Sequence, residues 1–202
     1  MSVSDIAIAN RALDLAGLDP IVSLGDDGTS AALIARNLEL TRDATLRAYP
    51  WNCAMRRAAL AADTAAPAWG PARRFALPEG PPTAEQPYAL RVWSIEGERD
   101  FGVKYRVEGR FILTDESAPL NISYIGRVDW GVLDALCADA IAARLAIVVA
   151  ANRTRSPSIV AELREYYRDL LAEARRADAQ EGSPEEQGPE FPGVPGWLES
   201  RA

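Results

Sequence analysis

Residues 30–60 read SAALIARNLELTRDATLRAYPWNCAMRRAAL, and the way this stretch is cut decides the fold. Leu33, Ile34, Asn37, Leu38, Thr41, Ala44, Thr45 and Ala48 recur at three- and four-residue spacing, the period of one helix face. Arg36, Glu39, Arg42, Asp43 and Arg47 lie mostly away from that face. The helix must stop at Tyr49-Pro50, because proline lacks an N–H and drives the preceding residue out of helical geometry. Trp51 and Asn52 are expected to restart the chain as a second short helical run, with Trp51 buried to lock the bend. Tyr49, Pro50, Trp51 and Asn52 therefore form an architectural hinge.

Toward the amino end, residues 3–17 are predicted to form a helix. Ser2 followed by Asp5 reads as a capping-box start and Gly17 as the stop, with an apolar stripe of Ile6, Ala9, Leu13 and Ala16. Ile21–Leu24 reads as a short extended piece. Gly25-Asp26-Asp27-Gly28 reads as a plain loop, since it lacks the ligand periodicity of a calcium loop and any following Gly-Lys-Ser/Thr.

Toward the carboxyl end, Ala61–Pro87 is too rich in proline to stay helical and reads as an irregular connector with an extended segment at Arg73–Leu77. Trp69 and Phe75 are expected to pin it to the body. From Tyr88 to Val128 the period changes to two: Leu90, Val92 and Ser94 alternate with Arg91, Trp93 and Ile95. Hairpins turn at Glu108-Gly109 and Thr114–Pro119, giving a small antiparallel sheet. Asp129 is predicted to cap a helix over 131–152 that is apolar nearly all round, a pattern expected of a helix central in its bundle or packed on a neighbouring subunit. Ser156-Pro157 opens the last helix, to about Ala179, with Ile159, Leu163, Tyr166, Leu170 and Ala174 facing in.

The fold class expected is α+β. An antiparallel helical bundle of about four helices (1–60 and 129–180) carries a connector and β-rich inserted domain (61–128). Residues 181–202 form an extended C-terminal docking arm. AQEGSPEEQGPE is too polar to fold alone. The apolar residues that follow, Phe191, Val194, Pro195, Trp197 and Leu198, together with Arg201, look like anchors for a partner.

Composition narrows the chemistry. The chain has 202 residues, 48% hydrophobic and 25% charged, an ordinary globular balance. It contains no histidine, which removes Ser-His-Asp and Cys-His catalysis and histidine metal ligands together. Cys53 and Cys137 alone cannot supply a structural zinc site and read as small buried thiols. Lys104 is the only lysine. The net charge is −7, and residues 177–202 carry six acids against one arginine, so −5 of it lies there. That is not the basic footprint of a protein that grips nucleic acid. The longest apolar tract, Ala138–Ala151, is interrupted by Asp139 and Arg144, so no membrane span is expected, and MSVSDIAIAN lacks the features of a signal peptide.

No phosphate loop, nucleophile elbow or metal cluster is present in the sequence, and no cofactor is expected. The only carboxylates worth weighing for glycan hydrolysis are Glu96, Glu98, Asp115 and Glu116, and such residues on a polar sheet face are ordinarily solvated surface. The chain is therefore expected not to be an enzyme.

Several stretches in fixed order resemble a known family. They are IANRALDLAGLDPIVSL (8–24), LTRDATLRAYPWNCAMRRAAL (40–60), RFALP (74–78) with LRVW (90–93), and YRVEGRFILTD (105–115). LNISYIGRV (120–128), LAIVVAANRTRSP (145–157), YYRDLLAEARRADAQEG (166–182) and WLESRA (197–202) complete the set. Together they resemble the tail tubular protein A family, the head-to-tail adaptors of short-tailed bacteriophages and related particles, including gene-transfer agents. EGPPTAEQPYA (79–89) replaces a shorter link expected there. The resemblance implies a homo-oligomeric ring of about twelve copies under the portal protein, at the head-tail junction of a virion assembled in the bacterial cytoplasm. It implies a channel through which DNA passes without sequence-specific binding, a platform for the next tail, nozzle or stopper protein, no membrane, and portal docking by the arm at Phe191–Arg201. The alternatives are a tail-associated cell-wall glycan hydrolase using the four carboxylates, or a bacterial scaffold with no phage role.

Overall fold

A computed structural model of the chain describes residues 4–96 and 103–180. The chain is α+β, with four α-helices and two small antiparallel sheets among the described residues. Helix α1 spans Asp5–Leu15, α2 Thr29–Ala48, α3 Ala135–Arg153 and α4 Pro157–Gln180. Strands β1 (Met55–Leu60), β6 (Leu120–Gly126) and β3 (Ala89–Ile95) form one sheet in the order β1-β6-β3. Strands β2 (Arg73–Ala76), β5 (Phe111–Thr114) and β4 (Tyr105–Glu108) form the other, in the order β2-β5-β4.

The amphipathic pattern of α2 is realised over most of its length, although Ala48, expected on the inner face, is exposed and Leu46 is buried in addition. Leu33, Ile34, Leu38, Thr41, Thr45 and Leu46 are buried, but so is Arg42, which the spacing placed outside. Its guanidinium bonds Asp43 at 3.1 Å and lies 4.6 Å from the centre of the Trp130 ring. A paired cation on an aromatic face can be buried where a bare one cannot.

At the end of α2, Tyr49 is extended (φ −146°, ψ 149°), as the following proline requires. What comes next corrects the sequence reading. The restart is a single 3₁₀ turn, Asn52–Ala54, and Met55–Leu60 is strand β1, paired residue for residue with β6 from Met55↔Ile125 to Leu60↔Leu120. MRRAAL has good helix formers, but pairing with a central strand and burial of Ala58 and Leu60 override local propensity.

Two helix starts also differ from expectation. Ser4, not Ser2, caps α1, its hydroxyl accepting from the Ala7 N–H at 3.1 Å. Asp129 leads only into the 3₁₀ turn Trp130–Val132, and Asp134 caps α3 by accepting from Leu136 and Cys137. Ile21–Leu24 is not a strand. Asn10 holds Ile21 by bonding both its N–H and its C=O, and Asp26 accepts from the Val22 and Ser23 N–H groups. The GDDG loop is thus a self-bonded turn.

Helix α3 is long and apolar enough by composition to cross a membrane, with a mean hydropathy of 1.7. The interruptions at Asp139 and Arg144 do not take it below that threshold. Helices α1, α2 and α4 pack around it and bury Cys137, Ile141, Leu145 and Val149, while Val148 stays exposed. Asp139 is held on Arg11 at 2.9 Å and on the Tyr166 hydroxyl at 3.3 Å.

The hydrophobic interior comes in two clusters. The helical cluster includes Leu13, Ile34, Trp51, Ile141 and Leu145 and reaches Ile125 and Val128 at the end of β6. The second lies between the sheets: Leu60, Phe75, Leu77, Ile95, Ile112, Leu120, Ile122 and Tyr124. Alternation along β6 sends Leu120, Ile122 and Tyr124 into the sheet cluster and Ile125 into the helical one. Gly109 turns β4 into β5 at φ 57°, as expected. At Gly126 a side chain would meet Pro87 at 2.7 Å, so glycine lets the connector lie against the end of β6. The Ala118-Pro119 peptide is cis.

Candidate docking surfaces

The hinge is rigid. Trp51 is 1% exposed, and its indole N–H donates to the Thr45 carbonyl at 3.1 Å across the end of α2. The Tyr49 ring meets it edge-on, with centroids 5.2 Å apart. Tyr49 is held from the other side by α4: its hydroxyl donates to the Arg175 carbonyl at 3.4 Å and the Arg175 guanidinium lies 5.3 Å from its ring centre. Trp51 is therefore the wedge of the corner, and a helix far away in sequence braces it.

Where the corner hands over to the sheets, arginines gather around Tyr88. Arg110 stands 3.9 Å and Arg127 4.7 Å from the Tyr88 ring centre. Arg127 is doubly bonded to Asp43 Oδ2 at 2.5 and 2.9 Å. Arg110 donates to the carbonyls of Ala89 (2.7 Å) and Pro78 (2.6 Å) and to Glu79 (3.0 Å), and Arg47 donates to the Leu90 carbonyl. Asp43, Arg47, Tyr88, Leu90, Arg110 and Arg127 line a cleft of about 470 Å³, with exposed Leu40 on its rim. Tyrosine and arginine around an aliphatic rim make the composition of an interface hot spot. The arginine donors are largely used internally, so the cleft offers shape and aromatic surface rather than an anion site. Sequence reading missed it because 43, 88, 110 and 127 lie far apart in the chain and meet only in the tertiary fold.

A second surface lies on the outer face of the β2-β5-β4 sheet. Sequence reading expected Trp69 and Phe75 to pin the connector. Phe75 does, fully buried between the sheets, but Trp69 is 80% exposed. Gly70, at φ 88°, turns the chain between Trp69 and Pro71. Pro67, Trp69, Pro71 and Phe111 form the apolar walls of a groove of about 240 Å³ that also holds Arg74, Arg106 and Glu108. Arg74 lies 4.5 Å from the Phe111 ring centre and bonds Asp63 at 3.0 Å. The Asp63 carboxyl is held below the usual carboxylate range, chiefly by the Ala65 N–H and with help from Arg74, against an opposing effect of burial.

Of the carboxylates weighed for hydrolysis, the three among the described residues have structural or surface settings. Asp115 accepts from the Ala72 N–H at 2.7 Å, and Arg73 clamps the carbonyls of Asp115 (2.7 Å) and Glu116 (3.1 Å), so this turn fastens the connector. Glu96 is exposed at the far sheet, just past the end of β3, and accepts from the Asn121 amide. Glu98 lies outside the described residues, as do the anchors Phe191, Val194, Pro195, Trp197, Leu198 and Arg201. Among the described residues no group of three Cys, Asp or Glu could hold a metal ion. Compared with known proteins, the chain matches no protein-family model and no curated protein.

Proposed function

We propose that the chain is a non-catalytic structural adaptor of a tailed phage or phage-like particle. It would form a ring under the portal that leaves a channel for DNA and a platform for the next tail component. The single observation that carries the reading is the braced corner. A helical bundle and an inserted two-sheet unit are joined at one wedge, Trp51, and tied again by Asp43 and Arg127. Such a join transmits position between two docking ends, which is the task of an adaptor. The exposed aromatic surface supports the same reading, since Trp69 and Trp93 both lie on the sheet unit, the end assigned to the tail. The net charge of −7 suits a channel that DNA traverses without being held. In this reading the arm 181–202 docks on the portal.

The test is to mix the purified chain with the portal protein and image the mixture by negative stain. Rings seated on the portal are the expected result. Monomers that ignore the portal would overturn the proposal. Tight duplex DNA binding at physiological salt would overturn the account of the channel.

A further inference from the structure

Residues 184–198 read PEEQGPEFPGVPGWL, with Pro189, Pro192 and Pro195 at intervals of three. Polyproline II has three residues per turn, so this spacing would align the prolines along one edge. Segments of that kind dock in grooves walled by aromatic rings. The groove at Trp69 has such walls, in Trp69 and Phe111 flanked by Pro67 and Pro71. Its charged rim carries Arg74 and Arg106 against Glu108, whereas 184–198 contains Glu185, Glu186 and Glu190 and no basic residue. An exposed tryptophan in a proline-walled groove is surface that a chain gains by covering.

We propose that residues 184–198 of this chain occupy the Trp69 groove, with the proline edge against Trp69 and the glutamates toward Arg106. From Gln180 to Pro192, twelve residues can span about 40 Å when extended, a reach compatible with occupancy within one copy or between neighbours. The groove would then be the arm's resting place, and a partner that takes the arm must compete for it. The inference concerns the chain by itself and stands whether or not the adaptor reading does.

A glutamate-specific protease tests it on the full chain. Cleavage after Glu190 is expected to be about fivefold slower in the wild type than in Trp69→Ala, because proteolysis follows the population of the open form. Arg106→Glu and Pro192→Gly should accelerate it in the same way. Trp69 and Arg106 are exposed, so an unchanged circular dichroism spectrum and melting temperature should accompany the change. Protection that weakens on dilution would place the arm on a second copy, and protection independent of concentration would place it on its own. Equal cleavage rates in the wild type and all three variants, or protection that survives Trp69→Ala, would overturn the proposal.

Discussion

The helical half and the sheet half of this molecule close their interiors differently. Around α3 the interior is built largely from alanine (Ala138, Ala140, Ala142, Ala143, Ala146 and Ala150 on that helix alone), which lets three other helices come close. Its large exposed apolar residues are scattered aliphatics: Val22, Leu40, Val132 and Val148. The sheets instead enclose fewer and bulkier side chains, with Phe75 and Tyr124 fully buried, and leave Trp69, Trp93 and Val107 exposed. Scattered aliphatics are ordinary surface, while a tryptophan in a groove marks a place for a partner. The difference teaches that the helical half is closed as a frame, while the sheet half holds the exposed tryptophans.

The sharpest way to break this contrast is through its two tryptophans. Trp51 sits wholly within the helical cluster and bonds the Thr45 carbonyl. Trp51→Ala should cost about 3–5 kcal/mol, the usual range for a large aromatic removed from a packed interior. Trp69→Ala should change stability by no more than about 0.5 kcal/mol, as for a surface site. Urea unfolding of both variants checks this. A large loss at Trp69, or a small one at Trp51, would show that the division into frame and surface is misplaced.

The next effect falls on the tie between the halves. Asp43 accepts from buried Arg42, which leans on Trp130, and from Arg127, which leans on Tyr88. Asp43→Ala should cost about 2 kcal/mol, within the range for hydrogen bonds to charged groups, since Arg42 stays buried with its carboxylate gone. A double-mutant cycle with Arg127→Ala measures how much of that is the tie itself. If the two halves then melt in separate transitions, Asp43 is what couples them. A single transition of unchanged midpoint would show that the wedge at Trp51 suffices.

Much of this architecture was legible in the sequence, for reasons that can be named. Helices α1, α2 and α4 announce themselves by period, Pro50 by chemistry, and Gly109 by the turn it must make. Met55–Leu60 was not legible as a strand, because MRRAAL is locally helical and only β6, sixty or more residues away, makes it extended. The cap was read at Asp129, whereas Asp134 caps α3 and the intervening Trp130–Val132 forms a 3₁₀ turn whose Trp130 ring meets Arg42, a contact that spacing does not reveal. Arg42 looked solvated because periodicity carries no information about a distant aromatic ring. Of the candidate surfaces, Trp69 could have been found, since Pro67, Gly70 and Pro71 leave it few ways to turn inward. The arginines around Tyr88 could not, because nothing in their spacing brings them together.

The smallest effect concerns the sheet interior. The Tyr124 hydroxyl is the one buried side-chain polar atom among the described residues with no hydrogen-bond partner. Burial pushes its ionisation up from the ordinary value of 10.0, with Arg56 pulling weakly the other way. An acid whose proton is held more tightly in the fold than in the unfolded chain contributes fully below the unfolded value. That contribution is lost as pH rises above 10.0, because the unfolded chain ionises first. Tyr124→Phe removes an unpaired polar group at nearly constant shape, so it should raise stability by about 1 kcal/mol at neutral pH. It should also flatten the fall in stability above 10.0. Urea midpoints at neutral and alkaline pH read both effects. A variant less stable than the wild type would mean that the hydroxyl is bonded in solution, and that the sheet interior is as fully satisfied as the helical one.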